Sequence, residues 1–335
     1  MRIQIFNTCC LFDEIKNETT LYGQYTQKFS SLAIAPPISY SVFYCSNRPD
    51  FIIKISSKIS TLDSLQFKFN DKTVETISSV TIAYPFEMCN LRLCSTSAII
   101  STLVKSYSHR LDEWIRYNIQ LGFSGIVIFD NDANVTNRLN EDIEHCNIRF
   151  STRDVCARFP GFVWVVDFPN TPFRGSSWDN IQRISLHIGT SAMRTRCRNI
   201  ALIDADEFIF IPKTPEMSIE RFLDPRQSVT LRSNILTNRA INDVLDNNIL
   251  SLATFVGEDK YTKIILRTEH IKPNEFIRTP HTHPRAALMP KDEIIHYHCW
   301  MNARYKYTPG MPEFHGLMIK ETKVDKDVVI VDKPL

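Results

Sequence analysis

Glycine is scarce in this chain, nine in 335 residues, and neither a Walker nor a Rossmann glycine pattern occurs. A nucleotide cradled by a glycine-rich phosphate loop is therefore not expected. Charge of one sign is lacking too: the formal net charge is +2 and no dense Lys/Arg block stands out, which argues against a nucleic-acid groove. No CxxC pair occurs among the nine cysteines. Odd in number and scattered, they read as free thiols in a reducing compartment, with Cys89 and Cys94 spaced for a bridge only if the chain is secreted. No run approaches the roughly 18 apolar residues of a spanning helix. The opening MRIQIFNTCCLFDEIKNETT, broken by Asn7 and closed by Asp13 and Glu14, is too short and polar for a signal peptide or anchor. A soluble, cytoplasmic protein is expected, and the sequons at Asn17 and Asn134 matter only in a secretory lumen.

What is present is core: hydrophobic residues make up 43%, enough over this length for one large α/β domain with an appendage or for two modest domains. Residues 1–95 read as short β segments punctuated by Pro, Asn, Asp and Ser, with no legible chemistry. From Ser97 the texture changes. An apolar run, Ala98 to Val104, ends at Lys105; a helix follows with Leu111, Trp114, Ile115 and Ile119 on one face and Gly122 placed to end it. Gly125 then opens a buried strand, Ile126 to Phe129, that ends in Asp130, Asn131 and Asp132. Strand, helix, strand makes a βαβ unit with parallel strands and a right-handed crossover. A third strand runs from Gly161 to Phe168, and a long helix carries Trp178, Ile181, Ile184 and Ile188 on one stripe with Gln182 and Arg183 beside it.

The stretch that organises the chain comes next, Asn199 to Pro212, NIALIDADEFIFIP. An apolar run delivers Asp204 and Asp206, Glu207 follows, and a second apolar run resumes. Ionised carboxylates inside a core-like segment need a compensating cation or ligand. Along an extended chain Asp204 and Asp206 point the same way, where both would face one ion or one nucleotide. A solvated turn between two strands is the plainer alternative. Lys105, Asp130, Asp167 and Asp204 thus end successive parallel strands, where ligands of such sheets bind.

Five of the nine histidines fall between 270 and 298: His270, His281, His283, His296 and His298. With Asp204 and Asp206 they admit two readings. Hard carboxylates with one imidazole suit Mn or Mg holding a diphosphate; two HxH pairs with an aspartate suit Zn or Fe hydrolysis. Spacing alone does not choose, and most of these histidines taken singly are ordinary core or surface residues.

Four ordered segments carry a family resemblance: RLDEWIRYNIQLGFSGIVIFDNDANV (Arg110 to Val135), IALIDADEFIFIP with Gln182 on the preceding helix, YTKIILRTEHI (Tyr261 to Ile271), and the HTH at His281 with the IIHYH ending at His298. Together they resemble glycosyltransferase family 92 and family 2-like enzymes. The resemblance implies an α/β GT-A-like fold, a mostly parallel sheet flanked by helices, over residues 96–310. The β-rich stretch 1–95 is then an appendage and 311–335 a tail. It implies a nucleotide-sugar donor, a UDP-sugar first, and a glycan or other hydroxyl acceptor. It also implies Mn2+ or Mg2+ held by Asp204, Asp206 and His296, with His298 and His281 in reserve. By the same analogy Lys105, Asp130, Asn131, Gln182 and Asp204 line the donor cleft, with Lys263 or Arg267 adding positive charge.

An inverting enzyme also needs a carboxylate base. Asp243 and Asp292 are the candidates, with Asp246 and Glu258 beside them. Leu231 to Asn238 lacks the Trp and Gly-rich stretch of that family, which leaves acceptor and stereochemistry open. Many eukaryotic relatives are membrane-anchored, so a soluble bacterial or viral enzyme fits the resemblance better. A metallohydrolase on the HxH pairs, or an inactive sugar-nucleotide-binding protein, remain the alternatives.

Overall fold

The computed structural model describes residues 3–35, 37–45, 48–59, 66–70, 72–73, 83–105, 108–131, 151–170, 178–237 and 254–298. The N-terminal stretch forms β1 (Ile3–Asp13), β2 (Glu18–Tyr25), β3 (Leu32–Ala35), β4 (Tyr40–Tyr44), β5 (Asp50–Ile55), β6 (Gln66–Phe69) and β7 (Lys72–Thr73). They build two antiparallel sheets, β1-β2-β5-β4 and β3-β6-β7. Leu21, Phe29, Phe51, Ile53, Phe67 and Phe69 fill the space between them.

A second, larger sheet begins with β8 (Ala98–Val104), α1 (Ser108–Gln120), β9 (Gly125–Asp130), α2 (Thr152–Cys156), β10 (Val163–Asp167), α3 (Trp178–Met193) and β11 (Asn199–Leu202). These four strands are parallel in the order β10-β9-β8-β11. Period-2 alternation sorts their side chains onto two faces. Ile100, Ile126, Ile128 and Ala201 pack with Leu111, Trp114 and Ile115 of α1. Ile99, Val127, Phe129 and Ile200 pack with Ile181, Ile184 and Ile188 of α3. Ile119, expected on the apolar stripe of α1, is instead exposed. Gly122 ends α1 at φ 89, a left-handed turn that a side chain adopts only with strain, and a Cβ there would also meet Ser218 at 2.6 Å.

The remaining elements are β12 (Glu207–Phe210), α4 (Ile219–Leu223), β13 (Val229–Thr237), β14 (Thr254–Arg267), β15 (Ala287–Leu288) and β16 (Ile295–His298). They extend the sheet as β14-β13-β16-β12, with β15 beside β13. β14 runs antiparallel to β11 and to β13, and β12 antiparallel to β16. This corrects the expected fold. Among the described residues strand outweighs helix, 38% to 20%, in a large mixed, curled sheet with few helices, rather than a helix-flanked parallel GT-A sheet. The physical reason is connectivity. Helical cover comes from helical crossovers between parallel strands, and among the described residues only β8 to β11 are joined that way; after β11, β14 and β12 pair antiparallel and β13 lies parallel to β15 and β16 with no described α-helix between them.

The N-terminal sheet docks on the same core. Phe6, Cys9, Tyr22 and Ile52 pack in one cluster with Ile99, Phe168 and the inner stripe of α3. Helix α3 is therefore a middle layer, with the large sheet on one side and β1-β2-β5 on the other. Two adjacent residues show this: Gln182 reaches Asp204 at the end of β11, while Arg183 reaches Asp50 on β5.

Candidate functional site

The acidic stretch is a turn. Asp204 and Ala205 follow β11 and Glu207 opens β12, so the extended alternation expected of Asp204 and Asp206 gives way to a tight reversal. The turn closes on itself: Glu207 donates its backbone N–H to Asp204 O at 3.1 Å, and Asp204 N–H donates to Glu207 Oε2 at 2.9 Å. Helix α1 holds the outgoing strand from beneath. Trp114 Nε1–H donates to Glu207 O at 2.8 Å, and Tyr117 O–H to Ile209 O at 2.5 Å. The Glu-Trp helix of the sequence thus positions the acids through backbone carbonyls, on a fully buried indole.

The three acids have distinct surroundings. Asp204 receives Lys263 Nζ at 2.5 Å and Gln182 Nε2 at 2.5 Å. Burial raises its pKa, but the Lys263 ammonium and its hydrogen bond outweigh that and hold the carboxyl below its ordinary value. Glu207 is almost fully buried, 3.0 Å from Lys263 Nζ. Its burial prevails, pushing its pKa up to about 7 against the pull of Lys263. Lys263 itself is 2% exposed. Burial alone would lower its pKa, and the two carboxylates more than reverse this. Asp206 instead faces His298, whose Nε2 lies 3.5 Å from Asp206 Oδ2.

Strand β16 supplies the histidines. His298 stands opposite Glu207 and His296 opposite Ile209. His296 has no exposed surface and neither ring nitrogen has a hydrogen-bond partner among the described residues; its Nδ1 lies 3.9 Å from Glu207 Oε1. Burial, and then the charges of Lys263 and His298, press its pKa well below the ordinary value, so the ring is neutral. His281 is near enough to bear on Asp204 and His296, and its Nδ1 lies 2.6 Å from Thr262 O. His270 and His283 are elsewhere, beside Ser228 Oγ at 2.9 Å and Glu275 Oε1 at 3.4 Å.

Other expected site residues are placed less favourably. Asn131 spends both amide hydrogens on Phe168 O and Asn170 O, each at 2.8 Å, clamping the end of β10 instead of waiting for a nucleoside. Asp130 is buried and close enough to Cys156 to help raise its thiol. Lys105 is exposed just past β8, on the edge where Asp130 ends β9. Asp292 sits at the surface in an ion pair with Lys213 at 2.5 Å, at the opposite end of the β12–β16 ribbon from Glu207 and His298. That placement takes it away from the acidic turn as a base. Asp243 and Asp246 lie outside the described residues, and Glu258 stands on β14 opposite Asn234.

For a divalent ion, the donor types are in place but the set is small. Asp206 Oδ2 and His298 Nε2, 3.5 Å apart, offer one oxygen and one nitrogen. Asp204, expected as a ligand, already has its charge matched by Lys263. Among the described residues no group of three or more His, Cys, Asp or Glu is arranged as a metal cage. Two protein donors completed by substrate phosphates is the usual way an Mg-type ion is held. Sequence reasoning named Lys263 only as a general source of charge and missed its pairing with Asp204 and Glu207. Its signal was there: a lysine inside the apolar run of YTKIILR can be buried only beside carboxylates.

Among the described residues no disulfide is formed; Cys89 and Cys94, spaced for a bridge only in a secreted chain, carry separate thiols. Among the described residues no helix is long and apolar enough to cross a membrane. Compared with protein-family models and with curated proteins, the chain matches none.

Proposed function

We propose that the chain is a metal-assisted glycosyltransferase, moving a sugar from a nucleotide diphosphate to a hydroxyl acceptor at the Asp204–Glu207 turn. One observation carries the reading. The turn divides its carboxylates: Lys263 pairs with Asp204 and Glu207, while His298 at the end of β16 stands 3.5 Å from Asp206 and 4.0 Å from Glu207. A dication bound through one or two protein donors and the substrate phosphates is the means by which such a transfer stabilises its leaving group. The ordered motif resemblance supports the same reading and supplies the donor class.

In this reading Asp206 and His298 hold the ion, which when bound supplies positive charge to the leaving diphosphate. Lys263 and Gln182 keep Asp204 rigid, so the turn stays formed with no ligand present. The test is a thermal-shift screen of UDP-, GDP- and CMP-sugars with and without Mn2+. Stabilisation by one nucleotide class that depends on the metal is expected. Equal stabilisation without metal, or none with any donor, overturns the proposal.

A further inference from the structure

At the end of β11 away from the acidic turn the surface is concave. There the turn that follows α3 and the end of β14 meet the segment leading into β8, and together they enclose a cavity of about 700 Å3, open to solvent. That lies within the range of about 300–1,000 Å3 of small-molecule sites. Strand β11 separates it from the acids: Arg198 precedes the strand, Asp204 follows it, and its four residues span about 13 Å.

Its charge is one-sided. Arg194, Arg196, Arg198 and Arg267 line it, against a single carboxylate, Glu269. All four arginines are at least partly exposed, so a ligand can reach them. Two have acid partners: Arg267 Nε lies 3.0 Å from Glu269 Oε1, and Arg198 pairs with Asp224 just outside the cavity. Arg196 donates to a neutral group, Phe86 O, at 3.0 Å, and Arg194 forms no hydrogen bond or ion pair among the described residues. Each guanidinium carries five N–H donors, so these few contacts leave most of them to solvent. Capping of α3 does not account for the cluster either. Among the described residues the side-chain bonds of these arginines go to Phe86, Ser95, Asp224 and Arg226, and none to the last carbonyls of the helix. Like charges gathered in one concavity repel one another, and an oxyanion between them turns that repulsion into paired N–H···O contacts.

We propose that this cavity is a second ligand site, taking a small molecule that carries two or more negative charges on phosphate or carboxylate oxygens. Arg194 and Arg196, which no described carboxylate neutralises, hold the anion, and Arg198 and Arg267 complete the basic wall. The site is independent of the acidic turn, and its test needs neither metal nor sugar nucleotide. Cys94, exposed on the same wall, reports occupancy.

The probes are inorganic pyrophosphate and citrate, each titrated into the full chain with EDTA present so that the acidic turn holds no ion. The readout is alkylation of Cys94 by iodoacetamide, a neutral reagent, followed by peptide mass analysis, with Cys89, outside the cavity, as internal reference. Saturable protection of Cys94 is expected, slowing alkylation at least threefold, with none from sodium chloride at the same ionic strength. Protection by pyrophosphate alone assigns a phosphate ligand, by citrate alone a polycarboxylate, and by both a site that takes either; each supports the proposal. Arg194→Glu, which breaks no described bond, raises the concentration needed for protection at least tenfold with an unchanged circular-dichroism spectrum. Protection by neither probe overturns the proposal. So does equal protection by chloride, or unchanged protection in Arg194→Glu. If that variant does not fold, Arg194→Gln, which removes the charge alone, decides in its place.

Discussion

The ammonium of Lys263 on β14 lies 2.5 Å from Asp204 Oδ2, and the same nitrogen is 3.0 Å from the buried carboxylate of Glu207. One cation thus answers two acids, of which Glu207 is buried and Asp204 is partly open to solvent. Lys263→Met leaves both carboxylates uncompensated, and breaking a buried pair in this way costs about 3–5 kcal/mol. Urea unfolding measures it. Adding Glu207→Gln to Lys263→Met should recover part of the loss, because one of the two stranded charges is then gone. A Lys263→Met protein as stable as the parent would show that the pair contributes nothing.

The N-terminal sheet is held to the rest by a second buried pair, Arg183 Nε with Asp50 Oδ2 at 2.6 Å, the two side chains 4% and 0% exposed. Burial raises the pKa of Asp50, and Arg183 with Gln24 at 3.2 Å opposes that shift. Arg183→Met should destabilise the whole molecule in a single transition, by about 3–5 kcal/mol. Removing residues 1–95 should expose the face of α3 that carries Arg183 and His187, together with Phe168, and yield protein that aggregates or binds hydrophobic dye. A well-folded, soluble truncation would return this stretch to the status of an independent appendage.

How far the sequence disclosed this architecture differs from segment to segment. The βαβ unit through β8, α1 and β9 was legible because its helix and its strands differ in period, and Gly122 marks the join. The hairpin of β1 and β2 was not, since β2 is buried along most of both faces and shows no alternation. The antiparallel half of the sheet was misjudged for a related reason. An apolar run such as Ile264 to Leu266 reads the same whether its neighbour is parallel or antiparallel, and only the connection tells them apart. At the site, residue types were legible and partners were not. Asp204, Asp206 and His298 were singled out by type, whereas the pairing of Lys263 with Asp204 joins positions 59 residues apart. The clamp that Asn131 forms on the end of β10 was not legible either, because a strand-end asparagine that clamps a neighbouring strand has the same local sequence as one that binds a ligand.

Cys94 should be the most reactive of the described thiols. It is exposed, with Sγ 3.1 Å from Thr96 Oγ1 and 3.4 Å from Ser97 Oγ, and hydroxyl donors favour the thiolate. These hydrogen bonds, Ser97 first, bring its pKa down to about 7, whereas burial raises Cys9, Cys10, Cys156 and Cys197. The thiolate is the nucleophile, so alkylation at Cys94 should rise as pH passes through about 7 and level off above it. Iodoacetamide labelling followed by peptide mass analysis across pH 6 to 9 checks this. Ser97→Ala should shift the midpoint upward; an unshifted midpoint would assign the lowering to something other than the hydroxyls.

Asp204 and Asp206 carry the same side chain two residues apart, and the structure gives them unequal responses to neutralisation. Asp204 is the partner of Lys263 and Gln182, so Asp204→Asn leaves the buried ammonium with Glu207 alone among the carboxylates it meets in the described residues and should lower the melting temperature. Among the described residues Asp206 meets His298 at 3.5 Å and adds to the negative charge bearing on Glu207. Asp206→Asn loses the first and relieves the second, so it should cost less stability than Asp204→Asn. On the proposed function the binding readout reverses this order. Asp206→Asn loses the metal-dependent stabilisation by sugar nucleotide, whereas Asp204→Asn, where it folds, retains a metal response at reduced affinity. His298→Ala should follow Asp206→Asn, since the two are read as one pair of donors. Thermal shift with and without Mn2+ on the three variants separates the roles in one experiment. A normal metal response in both Asp206→Asn and His298→Ala would place the ion elsewhere in the chain and leave the turn with a purely structural part.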